Sequence, residues 1–248
     1  PTCHRKKGMR FLPIKLYCIP YAGASASVYL SWKKMLDPYG IHIVPLELRG
    51  RGKRYDEKVY TTMNEAIQDI YDLLIFQQRN SSLPYALYGH SMGCTIVFEL
   101  LHYLDRAKRP MPVHAFLSGR YPPHIVKSSK QIYLLQEEEF VKEIRHMGGT
   151  ADIIIDDPTL RDIFFPIIKA DYKILETYRY SPYEKKIPCP VTVVNGLEDN
   201  YVSYDEALMW QSYCDRISFK FLQGDHFFVR SNITEVANMI IDTLIKKD

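Results

Sequence analysis

The eighteen residues of 84–101, Pro-Tyr-Ala-Leu-Tyr-Gly-His-Ser-Met-Gly-Cys-Thr-Ile-Val-Phe-Glu-Leu-Leu, constrain this chain more than any other stretch. Tyr85 to Tyr88 is a short apolar run of strand character, and Cys94 to Leu104 carries apolar residues at helical spacing. Between them Gly89-His90-Ser91-Met92-Gly93 fits the G-x-S-x-G pattern, in which the glycines permit a sharp strand-to-helix reversal and the serine hydroxyl stands exposed at the strand's end. Ser91 is the candidate nucleophile. The helix that follows aims its free N–H groups and positive dipole end at the same spot, where an oxyanion would form. The competing reading is a Gly-Ser turn in an inert α/β domain, so the motif needs partners elsewhere in the chain.

The 248 residues, 46% hydrophobic and 25% charged, have the length and balance of one α/β domain with a well-filled core, and an insertion is expected. A net charge of +3 without a basic cluster of nucleic-acid type argues against a nucleic-acid partner. The five cysteines, Cys3, Cys18, Cys94, Cys189 and Cys214, are odd in number and form no C-x-x-C pair. That pattern disfavours a disulfide framework and a structural zinc site, and a reducing cytoplasm is the expected compartment. Neither a long apolar run nor a signal-type N-terminus is visible, so no membrane association is expected. Residues 1–13 are set apart as a basic tail, of leader or expression origin, with Met9 a candidate start.

Ile14 to Pro20 reads as a buried strand ending in the small-residue loop Tyr21-Ala22-Gly23-Ala24-Ser25-Ala26-Ser27. Such a loop lets backbone N–H groups approach a ligand. Val28 to Leu36 reads as a helix and Ile41 to Leu46 as a second strand, the rhythm of a parallel sheet. The loop Glu47 to Arg54 is Gly-interrupted and basic, and lies at the strand end where ligands bind in open α/β sheets. Met63 to Gln78 is an amphipathic helix, and Val113 to Leu117 a strand ending at Ser118-Gly119-Arg120. The rhythm then stops: from Tyr121 to Ile187 only two helical patterns stand out, near Glu137 to Met147 and Thr159 to Tyr178, which reads as a lid insertion. Pro190 to Asn195 resumes the sheet, followed by a helix over Tyr204 to Tyr213, a last strand over Ile217 to Leu222, and a closing helix over Ile233 to Ile245. The expected fold is a mostly parallel central sheet with helices on both faces, residues 14–248 forming a single domain.

A serine nucleophile needs a base and a carboxylate to hold that base, in the chain order Ser, Asp or Glu, His. Of eight histidines, His226 alone lies in a Gly-containing loop after a late strand, so it is the candidate base. Asp199, three residues past Gly196 at the preceding strand's end, is the candidate orienter, with Glu198 and Asp205 as alternatives; Asp225 reads as a turn residue. The backbone N–H groups of Met92 and Ala22 are the expected oxyanion donors. This chemistry needs neither cofactor nor metal.

Seven segments in order resemble the type II thioesterases of non-ribosomal peptide and polyketide synthases, which are α/β-hydrolases with a mobile helical lid. They are Pro20-Tyr21-Ala22-Gly23, Arg49-Gly50-Arg51, Gly89 to Gly93, Ser118-Gly119-Arg120, Phe165-Pro166 with Ala170-Asp171-Tyr172, Gly196 with Asp199, and Gly224 to Phe228. The resemblance covers nearly all of the chain from Lys15. Ala24, where a second glycine is usual, and Cys94, where a small residue is common, depart from it, and each is a candidate to narrow the pocket without touching the chemistry. The resemblance implies an α/β-hydrolase fold and hydrolysis of mis-primed or stalled acyl and aminoacyl thioesters on the phosphopantetheine arm of acyl- or peptidyl-carrier proteins. It also implies an acyl-enzyme on Ser91, and Arg49, Arg51, Lys53, Arg54 and Arg120 are candidates to dock an acidic carrier or hold the arm's phosphate. Ile153, Ile154, Ile155, Phe164, Phe165, Ile167 and Ile168 of the insertion are candidates for an acyl-binding wall or for simple lid packing, and Gly148-Gly149 for a hinge. A monomer is expected. The rival readings are a medium-chain acyl-CoA or fatty-acid-synthase thioesterase, a general serine esterase, and a carrier-binding protein without catalysis.

Overall fold

The computed structural model describes residues 12–127 and 131–245. Most of the basic tail set apart above therefore lies outside the described residues. Six strands form one sheet in the order β2-β1-β3-β4-β5-β6, every neighbouring pair parallel. They are β1 (Ile14–Ile19), β2 (Ile41–Pro45), β3 (Tyr85–His90), β4 (His114–Ser118), β5 (Val191–Gly196) and β6 (Ile217–Leu222). The helices in chain order are α1 (Lys33–Leu36), α2 (Met63–Gln78), α3 (Met92–Arg106), α4 (Glu137–Met147), α5 (Asp152–Asp156), α6 (Pro158–Thr177), α7 (Tyr204–Leu208), α8 (Phe228–Ser231) and α9 (Ile233–Leu244).

Side-chain alternation along the strands sorts the core into two layers. Tyr17, Ile19, Leu87, Ala115, Leu117, Val191 and Val193 face α2 and α3, while Leu16, Cys18, Ala86, Tyr88, Phe116 and Val194 face the helical segment with Tyr29, Trp32 and Leu36, and α9. Both faces of the central strands are thus buried, which is why they read as continuous apolar runs rather than as alternating ones. The edge strand β6 alternates between exposed Ser218 and Lys220 and half-buried Ile217, Phe219 and Phe221.

Connections from β1 run outward to β2, and the chain then returns past β1 to β3. The carboxyl ends of β1 and β3 therefore form a switch point, where the loops on either side diverge and leave a crevice. The β1 loop and the serine turn both open into it.

Several expected boundaries shift by one or two residues, and four segments differ in kind, α8 being a helical turn where the sequence predicts none. The stretch expected as a helix over Val28 to Leu36 is 3-10 from Ala26 to Trp32 before one α turn. The helix expected over Tyr204 to Tyr213 is α only to Leu208. The α5 turn was not expected at all. The insertion between β4 and β5 has a core of its own, in which Phe140 and Ile144 of α4 meet Ile155 of α5 and Phe165 and Ile168 of α6. Cys18, Cys94, Cys189 and Cys214 are free and buried. Among the described residues no helix is long and apolar enough to cross a membrane, and no cluster of His, Cys, Asp or Glu is set to hold a metal ion.

Candidate active site

Ser91 stands between β3 and α3 with φ 53° and ψ −111°, a backbone conformation that a side-chain-bearing residue rarely adopts. Such strain costs about 1–3 kcal/mol and persists only where its surroundings enforce it. Here they do. A methyl group on Gly89 would collide with the Gly93 carbonyl, and one on Gly93 with the carbonyls of Ile19 and Pro20, so α3 can start against β1 only if both positions are glycine. Ser91 N–H donates to the Ser118 carbonyl at 2.8 Å, tying the turn to the end of β4.

His226 follows β6 in the loop before α8, and Asp199 follows β5. Gly196 lets these two loops meet, since a side chain there would collide with the carbonyls of Gly224 and Asp225. Glu198 N–H donates to the Gly224 carbonyl at 3.0 Å and Leu197 N–H to that of Leu222 at 2.9 Å. Held this way, Asp199 Oδ2 accepts from His226 Nδ1 at 2.7 Å, while its Oδ1 accepts from the N–H groups of Tyr201 (2.8 Å) and Val202 (3.1 Å). With Nδ1 bearing the proton shared with the carboxylate, the Nε2 lone pair is the one available to a hydroxyl. Glu198 and Asp205 are exposed, and Asp225 Oδ1 accepts from Phe227 N–H at 2.8 Å in the turn role expected of it.

Ser91, His226 and Ala22 line one cavity of about 620 Å³ under the insertion. Its wall is rich in aromatic groups, among them Phe98, Tyr121, Tyr172, Tyr178 and Tyr201, with Ile144, Ile168 and Leu175. Met92 heads the 15-residue helix α3, where first-turn N–H groups have no helical acceptor. Among the described residues, neither the Met92 nor the Ala22 N–H has a hydrogen-bond partner, which leaves both available to a ligand oxygen.

Two features of the site escaped the sequence reading. His90, fully buried behind the serine turn, shares a hydrogen bond between its Nδ1 and the Ser118 hydroxyl (2.9 Å), and the Tyr88 hydroxyl donates to the same Ser118 Oγ at 2.9 Å. Burial first, and then the neighbouring His226, hold the His90 imidazole well below its ordinary pKa. It is a neutral packing surface for the His226 ring, 5.1 Å away between centroids. Tyr201 approaches the His226 ring edge-on at 5.2 Å.

The basic loop departs from what was expected of it. Arg51 is 4% exposed, and its Nη1 and Nη2 donate to Asp171 Oδ2 and Oδ1 at 2.5 and 2.7 Å. Arg54 donates to both Asp69 and Glu57, and Arg49 to Asp69. Arg51 and Arg54, together with much of Arg49, are therefore committed to internal ion pairs and are not free to hold a carrier or a phosphate. Lys53 is exposed, and Arg120 lines the cavity with its guanidinium 4.3 Å from the Tyr121 ring centroid. Of the seven apolar residues considered for an acyl wall, only Ile168 lines the cavity; Ile155 and Phe165 pack inside the insertion and Ile153 is 67% exposed. Ala24 and Cys94 are buried away from the cavity and do not narrow it. Gly149, at φ 81°, lies against the Phe227 ring, and its carbonyl accepts from Arg230 at 2.9 Å.

The parallel sheet, the strained serine between β3 and α3, and the loops after β5 and β6 are those of an α/β-hydrolase. The model of the thioesterase domain matches residues 14–244. The gramicidin S biosynthesis protein GrsT of Aneurinibacillus migulanus is 32% identical over 232 residues, spanning 93% of this chain and 89% of its own length. Among solved structures, ClbQ from the colibactin NRPS/PKS pathway is 34% identical with a TM-score of 0.86, covering 94% of this chain and 97% of that one. The type II thioesterase BorB from the borrelidin biosynthetic cluster is 29% identical with a TM-score of 0.81, covering 98% and 94%. The chain belongs to the thioesterase family, and it is a hydrolase of thioesters, as its resemblance to the type II members implied.

Proposed function

We propose that this protein is an editing thioesterase that removes aberrant or stalled acyl and aminoacyl groups from the phosphopantetheine arm of carrier proteins in non-ribosomal peptide or polyketide synthesis. The observation that supports the reading best is the site itself: a strained serine and an Asp-paired histidine opening into one roomy, aromatic-walled cavity rather than a narrow slot. Ser91 Oγ attacks the thioester carbonyl as His226 Nε2 takes its proton, and the N–H groups of Met92 and Ala22 receive the developing oxyanion. His226 returns the proton to the pantetheine sulfur as the C–S bond breaks. Water deprotonated by the same nitrogen then attacks the acyl-enzyme. The acyl C–Oγ bond breaks to release the carboxylic acid, His226 returns the proton to Ser91 Oγ, and Asp199 keeps the ring in the required tautomer throughout.

Carrier proteins are commonly acidic, and the exposed Lys53 and the half-buried Arg120 are the cations of the original set that remain free to meet one. The protein acts as a monomer in the cytoplasm, where its buried cysteines stay reduced. The insertion over the cavity serves as the lid.

The test compares acyl release from a phosphopantetheinylated carrier with release from acyl-CoA bearing the same acyl group. A kcat/KM at least about tenfold higher on the carrier is expected, tenfold being about 1.4 kcal/mol of extra transition-state binding. Equal values on the two would replace the editing role with that of a general acyl-CoA thioesterase.

A further inference from the structure

Asp171 sits in the middle of α6, where the flanking Ile167, Ile168 and Ile174 are buried, and its carboxylate is 2% exposed. A charge so placed must be answered by specific partners. Those partners lie on the opposite side of the cavity roof, in the two loops leaving β1 and β2. Oδ2 accepts from the Gly23 N–H at 2.7 Å and from Arg51 Nη1 at 2.5 Å, and Oδ1 from Arg51 Nη2 at 2.7 Å. Arg51 is itself held by its own Nη1 on the Ala24 carbonyl at 3.4 Å and Nε on the Arg49 carbonyl at 3.3 Å. Ile168, one turn before Asp171, covers Gly23 so closely that a methyl there would lie 2.8 Å from Ile168 Cγ1. Residues 23 and 24 are therefore pinned by one buried carboxylate and its arginine, directly beside Ala22, which lines the cavity.

We propose that Asp171 and Arg51 are positioning residues for the oxyanion hole: α6 of the insertion fixes the Ala22 N–H toward Ser91, and Arg51 cancels the carboxylate's charge so that it does not oppose the oxyanion. This inference rests on the catalytic roles given above to Ser91 and Ala22. The pair works by geometry and by charge at once. Removing Arg51 leaves a lone buried anion one residue from the donor, in a poorly screened interior where its repulsion falls on the transition state more than on the neutral thioester. Removing both charges restores neutrality while leaving only the geometry loosened.

The experiment measures kcat and KM separately for Arg51→Gln, Asp171→Asn and the double variant, with thermal melting to establish folding. Each protein is also titrated with a trifluoromethyl ketone analogue of the acyl-pantetheine substrate, which forms an oxyanion on Ser91, and with a thioether analogue that lacks the carbonyl. Arg51→Gln is expected to lose about 100-fold in kcat with KM little changed, the scale of one oxyanion donor. Adding Asp171→Asn should recover about tenfold, and affinity for the ketone, not the thioether, should follow kcat. Where Arg51→Gln does not fold, the double variant, which carries no lone buried charge, supports the same comparison of the two ligands. Folded variants with wild-type kcat, or ketone and thioether affinities that fall together, would overturn the proposal. A wild-type protein without thioesterase activity would overturn the catalytic reading instead, so the two failures are distinct.

Discussion

At the scale of single residues, the site depends on which groups are charged and which only shape their neighbours. Asp199 accepts from three donors, two backbone N–H groups and the His226 ring. Asp199→Asn preserves the shape but offers an amide donor where Nδ1–H needs an acceptor, so the ring turns to the wrong tautomer. The expected outcome is a fall in kcat of about 10³–10⁴-fold with KM within a few-fold of wild type, read by steady-state thioester hydrolysis. Loss in KM alone would place Asp199 in binding rather than in chemistry. The residues of this set were legible because each is announced locally: Ser91 by two glycines, His226 and Asp199 by loops after strands in the required order. Arg51 was misread for the opposite reason. Its partner Asp171 lies 120 positions away, and nothing near Arg51 distinguishes a solvated cation from a buried one. The available signal was on the other side, a lone Asp within an apolar helical stripe, where an unpaired charge would not be tolerated.

At the scale of elements, the turn between β3 and α3 carries a strict steric requirement at both of its glycines. Gly93→Ala would place a methyl group against the carbonyls of Ile19 and Pro20, both backbone atoms at the end of β1 that cannot rotate away. A loss of about 1–3 kcal/mol or more is expected, as for other overpacked interiors. A lower Tm by differential scanning calorimetry would register it, together with loss of turnover as α3 is pushed off β1. An unchanged Tm would mean that β1 and α3 do not approach as described. Strands and long helices were legible for simple reasons: Met63–Gln78 and Glu137–Met147 carry apolar residues at clear helical spacing, and β3 is a short apolar run bounded by Pro84 and the glycine turn. What was not legible was helix type in short segments. The five-residue α5 is held by Ile155 packing among Phe140, Phe165 and Ile168, a tertiary cause with no local signature.

For the whole molecule, the parallel order 2-1-3-4-5-6 explains why the site lies where it does: the switch between β1 and β3 leaves a crevice at the carboxyl edge. Loops from β1, β3, β5 and β6 then supply Ala22, Ser91, Asp199 and His226 to that edge. The fold also buries histidines in neutral form, with consequences for stability. Burial holds His90 well below its ordinary pKa and lowers His102 and His114 to about 4. In the unfolded chain each takes up a proton near pH 6.5, so the unfolded state binds more protons below that pH and folding stability falls as pH drops from about 6.5 toward 4. Glu176, raised by burial, acts in the opposite sense. Glu57 and Glu65, lowered by their hydrogen-bond partners, and Asp69 and Glu206, where burial is outweighed by such partners, add to the loss at the acid end. Tm is expected to drop by several degrees between pH 7.5 and 5, less steeply in His114→Gln; a flat profile would contradict neutral burial of these rings.

The central claim is that Ser91 carries the acyl group between two half-reactions. Rapid-quench mass spectrometry of the protein mixed with an acyl-pantetheine thioester reads this directly, by intact mass and by peptide mapping. The account predicts a transient adduct of the acyl mass on the peptide containing Ser91, absent in Ser91→Ala. In His226→Ala it should form more slowly and, once formed, persist. Hydrolysis at the wild-type rate by Ser91→Ala, or an adduct mapped to any other residue, would contradict it.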